Sequence, residues 1–132
     1  MSAHAKGTFE VKVTPQPADD LAPAVGRMSI AKQFHGDLDA VSSGQMLTAA
    51  TSVKGSAGYV AVEQVTGALH GRSGAFVLQH GGTMTRGVPQ LTISVVPDSG
   101  TGELAGLAGA MTITIADGKH SYDFEYILAG TQ

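Results

Sequence analysis

The chain has 132 residues, enough for one domain, spanning 1–132, around one core. Its net charge of −3 and its 14% of charged residues, against about 25% in ordinary soluble domains, leave no basic footprint for nucleic acid. Cysteine is absent, which excludes disulfides and thiolate metal sites. No apolar run reaches the ~20 residues of a spanning helix, so no membrane partner is expected. MSAHAKGTFEVKV at the start lacks the apolar segment of a secretory signal, and the expected location is the cytoplasm.

Strand follows strand along the chain. TFEVKV (8–13) alternates with period two, placing Phe9, Val11 and Val13 on one face. The proline-rich segment 14–26 reads as irregular, because proline removes ladder donors. Residues 27–40 read as a strand with Met28, Ile30 and Phe34 on one face, and 44–53 as a strand of small residues. A turn at 54–58 leads to strands over 59–70 and 74–82, joined by HGRSG. Further strands are expected at 90–97, 110–115 and 119–128, the last two joined at Asp117-Gly118, a strong hairpin signal. Residues 101–107 allow one helical turn at most. Eight short strands with tight connections predict an all-β fold, an antiparallel up-and-down barrel without exposed edges.

The stretch VVPDSGTGELAGLAG (95–109) has no lysine and leads into a β-patterned run, so it is no phosphate loop. Its glycines suit bends and close backbone approach at a barrel corner. Through Gly100, Thr101, Gly102, Leu104, Leu107 and Gly109 it is similar to the Gly-rich segment of dirigent proteins and allene oxide cyclases. Together with GTFEVKV (7–13), FHGDLDA (34–40) and residues 57–84, it resembles the small bacterial DUF3224 family. That resemblance implies an eight-stranded barrel of the allene oxide cyclase type, and the family name records no assigned function.

Glu63 is the foremost candidate for chemistry. Tyr59, Ala61, Glu63 and Val65 share one face of their strand. A hairpin centred on Gly71-Arg72 sets Glu63 opposite His80; one centred on His70-Gly71 sets it opposite Leu78. Either register puts Tyr59, Glu63, Phe76, Leu78 and His80 on one face. If that face lines the barrel, a desolvated Glu63 has a raised pKa and acts as general acid or base with His80. If the face lies outside, Glu63 is simply solvated; a third reading makes it a buried structural partner of His80 or Tyr59. Tyr59, Ala61, Phe76 and Leu78 are the expected ligand contacts.

No histidine pair has metal-ligand spacing, and no metal or other cofactor is expected. Asp37 and Asp39 read as turn-forming carboxylates, and Tyr122, Phe124, Tyr126 and Leu128 as a core or interface stripe. The foremost functional reading is a barrel that binds a small apolar ligand, with Ala49, Ala50, Ala57 and Ala61 leaving room. The alternative implied by the resemblance is a cofactor-independent cyclase or isomerase. A third reading, from low charge and apolar strand faces, is a homo-oligomeric interaction protein, a dimer or trimer.

Overall fold

The computed structural model describes residues 2–17 and 19–128. Eight antiparallel strands close into a barrel in chain order: β1 Ala3–Gln16, β2 Val25–Gly36, β3 Leu38–Ala50, β4 Ala57–Leu69, β5 Arg72–Thr85, β6 Val88–Val95, β7 Ala108–Ala116 and β8 Lys119–Ile127. β1 pairs with β8 from Ala3↔Tyr126 to Phe9↔His120, so the sheet has no first or last strand. Among the described residues no helix is long and apolar enough to cross a membrane.

The tight turns set the register. His70-Gly71, Arg86-Gly87 and Asp117-Gly118 all have positive φ at both residues, as a two-residue hairpin turn of type I′ requires. The β4–β5 hairpin is therefore centred on His70-Gly71, and Glu63 pairs with Leu78, not with His80. One boundary differs from the sequence reading. Residues 27–40 are not one strand: the chain reverses at Gly36-Asp37, where Gly36 takes a φ of 103°. Asp37 seals this turn, its Oδ2 accepting from Lys6 N at 2.9 Å and its own N–H donating to Lys6 O at 3.1 Å. β3 then runs unbroken from Leu38 through the predicted 41–43 gap. β1 likewise continues to Gln16 through the start of the segment read as irregular, with Pro15 paired to Met28.

One end of the barrel is filled. Phe34, Phe76, Phe124, Leu38 and Leu69 are all at most 1% exposed, and Phe76 stacks on Phe124 with centroids 5.7 Å apart. The alternating stripe of β8 belongs to this core. Tyr122 also bridges: its hydroxyl accepts from Leu38 N at 2.9 Å and donates to His35 O at 2.8 Å.

The Gly-rich segment seals the same end. β5 is longer than β6, and the groups of β5 that β6 does not reach bind residues 96–103 instead. Val96 N and Thr101 N donate to Val77 O and Ala75 O, while Val77 N and Ser73 N donate to Ser99 Oγ and Glu103 Oε1. A single 3₁₀ turn, Gly102–Leu104, then drops Leu104 and Leu107 into the core at 1% and 2% exposure. A side chain at Gly74 would strike Thr101 O, which explains glycine at this close approach.

Candidate functional site

The register arranges the interior as rows across neighbouring strands, and the sequence sets what each row holds. Nearest the open end lie Ala50, Ala57, Met84 and Pro89, then Thr48, Tyr59, Gly82 and Leu91. Below them come Met28, Met46, Ala61, His80 and Ile93, then Ile30, Gly44, Glu63, Leu78 and Val95. The next row holds Lys32, Ser42, Val65 and Phe76.

The upper rows set small residues such as Ala50, Ala57 and Gly82 among larger apolar ones, and they enclose a cavity of ≈ 600 Å³ open at the mouth. Met28, Met46, Met84, Leu91, Ile115 and Tyr59 form much of its wall. Of the expected small residues, Ala49, Ala50 and Ala57 line it. Ala61 is buried beneath it. Phe76 and Leu78, expected as ligand contacts, share the inward face but sit at 1% and 0% exposure in the filled half, away from the cavity. Their parity was right; their height in the barrel follows from the strand register.

Beneath the cavity floor the charged residues gather. Glu63 is wholly buried, so the solvated reading is overturned. Its Oε2 lies 2.8 Å from Lys32 Nζ and 2.5 Å from His80 Nε2. The second is a close approach without hydrogen-bond alignment, and His80 Nε2, Glu63 Oε1 and Ser42 Oγ are sealed from solvent without aligned partners. Glycine at 44 makes the space: a Cβ there would lie 2.6 Å from Glu63 Cα. On the far side Lys32 Nζ sits 5.1 Å from the Phe9 ring centroid and 5.8 Å from that of Phe34, a cation–π contact on an apolar bed.

The expected rise in the Glu63 pKa is corrected. Desolvation does push the carboxyl up, but His80, then Lys32, and last the neighbouring Ser42 outweigh it and bring it from 4.5 to about 2. A carboxyl so low is ionised at neutral pH and cannot donate a proton. Its chemistry is to hold Lys32 and His80 in place. Tyr59 stands over this cluster, its ring centroid 6.4 Å from that of His80 and its edge across Gly82, where a Cβ would lie 2.5 Å from Cε1. Burial, and then the charge of Glu63, raise the phenol pKa above its ordinary value, so Tyr59 remains a neutral donor.

Lys32 and Ser42 escape a reading of the sequence. The signal for Lys32 was its parity with Met28, Ile30 and Phe34. The remaining histidines lie elsewhere: His35 against Glu10 at 2.8 Å, His4 against Asp123 at 2.7 Å, and His70 against the Tyr126 hydroxyl at 2.5 Å. His120 packs on Phe9. Among the described residues no group of three His, Asp or Glu is placed to hold a metal ion.

Residues 5–126 match the family described as "Protein of unknown function (DUF3224)". The chain belongs to the DUF3224 family. It is similar to the crystal structure, at 1.84 Å resolution, of a DUF3224 protein of unknown function from Shewanella oneidensis MR-1. The two are 50% identical over 99% of this chain and 100% of the other, with a TM-score of 0.93. No curated protein matches the chain. The DUF3224 likeness thus extends over the whole barrel.

Proposed function

We propose that this barrel binds a small apolar ligand in the cavity at its open end, with Tyr59 as a contact and Ala61 shaping the floor beneath. The observation that carries the reading is the ≈ 600 Å³ cavity with its wall of methionine, leucine and isoleucine. Its size falls within the roughly 300–1,000 Å³ of small-molecule sites, and methionine walls adapt to ligand shape. The test is saturable binding of the neutral apolar dye Nile red, followed by fluorescence. Thr48→Trp, which fills the cavity from its wall, weakens one-to-one binding at least about tenfold. Dye binding that never saturates, or that Thr48→Trp leaves unchanged, refutes the reading.

A second reading is favoured by the Lys32–Glu63–His80 cluster immediately under that floor: a cofactor-independent isomerase or cyclase of the kind the allene oxide cyclase likeness suggests. In it Glu63 orients His80, as a carboxylate orients a catalytic imidazole, and His80, which does not itself line the cavity, relays the proton through Tyr59 above it. Glu63→Gln then lowers turnover of a bound substrate while leaving Nile red affinity in place. Turnover unaffected by the substitution removes Glu63 from any such role.

A further inference from the structure

We infer that the ligand is neutral, an apolar molecule carrying a single carbonyl or hydroxyl oxygen that meets Tyr59, rather than an ionised fatty acid. The inference rests on the cavity being a ligand site and concerns what the site accepts. Among the described residues no Lys, Arg, His, Asp or Glu lines the cavity. A carboxylate drawn into it would lose its water and find no cation, whereas a ketone or alcohol needs only one hydrogen bond. The polar side chains that face inward from the wall are neutral: the Tyr59 phenol and the Thr48 hydroxyl.

The charged cluster does not supply the missing cation. Lys32 lies three rows below the Tyr59 row, and its ammonium is already engaged by Glu63 at 2.8 Å. His80 faces the same carboxylate oxygen. Tyr59 stands on the wall above the cluster, with its ring centroid 6.4 Å from that of His80. Burial raises its pKa, and so does the negative charge of Glu63. Burial first, and then the Glu63 charge, act against any anion beside that phenol, a carboxylate included.

Cations do stand outside, at the rim. The turns before β4 and before β6 are tied together, Arg86 N to Ser56 Oγ at 3.0 Å and Gly87 N to Gly55 O at 3.0 Å. Lys54 and Arg86 belong to those turns, so a fatty acid could enter tail first with its head at the rim. This is the arrangement the experiment must separate from the proposal.

The experiment displaces Nile red from the full chain at pH 7 with 2-dodecanone, 1-dodecanol and dodecanoate. The ketone and the alcohol act at concentrations at least about tenfold below dodecanoate, and Tyr59→Phe removes most of that advantage. Dodecanoate that competes equally or better overturns the inference. If its affinity then falls in Lys54→Gln/Arg86→Gln, the head-out arrangement is the correct one. Failure of Nile red itself to bind overturns the cavity reading and this inference with it; dye binding with a preference for dodecanoate overturns this inference alone.

Discussion

Glu63→Gln tests the physical account of the barrel interior. The substitution is close to isosteric, respects the space opposite Gly44, and removes one charge. Lys32, with its side chain 6% exposed, is left buried without a counter-charge. Breaking a buried pair from one side costs about 3–5 kcal/mol. The titration of Glu63 gives a second measure of the same size. Its carboxyl stands at about 2 in the folded protein against 4.5 as the reference, and at 1.36 kcal/mol per pH unit that gap is worth roughly 3 kcal/mol. Because the folded pKa is the lower one, this stability is fully present above pH 4.5 and is lost as the pH falls towards 2. Urea unfolding followed by circular dichroism, repeated from pH 7 to pH 2.5, measures both quantities. The variant loses about 3–5 kcal/mol at pH 7, and the stability gap between it and the wild type narrows by roughly 3 kcal/mol on acidification. Lys32→Met added to Glu63→Gln recovers much of the loss, because the ammonium without a partner is gone. A loss under about 1 kcal/mol at pH 7, or a gap that stays constant through the acid range, refutes the reasoning.

Two further substitutions test what positions the site. Tyr122→Phe removes the hydroxyl that accepts from Leu38 N, leaving that buried donor without its partner. Urea unfolding registers a loss of about 1–3 kcal/mol, and a neutral result shows that another group or a water takes over. Gly44→Ala places a Cβ 2.2 Å from Val62 O and 2.7 Å from Glu63 Cβ, with a cost of about 1–3 kcal/mol from overpacking. If that strain moves Glu63, it also shrinks the acid-dependent part of the stability. An unchanged acid profile confines the effect to the backbone.

Alternation is a local property, and the fold was legible because the barrel is built from it. Period two in 8–13, 59–65 and 119–128 separates inside from outside, and the glycine pairs mark hairpins. Glu63 and His80 were found for that reason. Three features depended on what alternation does not carry. The Gly36-Asp37 turn interrupts no apolar pattern, and it is specified by the Asp37 bond to Lys6, 31 residues away in the chain. With that turn misplaced, Ser42 fell in a gap between strands. Lys32 kept the inward parity of Ile30 and Phe34, but lysine is seldom buried without a partner, and its partner lies on β4, two strands away. The direction of the Glu63 shift depends on all its partners: desolvation alone raises the carboxyl, and His80, then Lys32, bring it down.

The two ends of this barrel contrast in a way that strand number does not explain. Eight strands leave an interior that side chains can just fill, and the closed end does so with Phe34, Phe76, Phe124, Leu104 and Leu107. The rows at the mouth hold Ala50, Ala57, Thr48 and Gly82 in corresponding inward places, and the cavity is what they leave unfilled. Larger apolar residues there would each bury more surface, at about 25 cal/mol per Å². The cluster beneath has the same character, since a well-packed apolar substitute for a buried ion pair is often as stable or more so. Two arrangements that forgo stability thus lie one above the other, the cavity at the open end and the cluster where it meets the filled half. Consistency between local pattern and fold gives way most often where a molecule does its work, and here it gives way in adjoining rows. That coincidence, more than the cavity or the charges taken separately, makes the mouth and its floor the part of this barrel on which to look for a ligand.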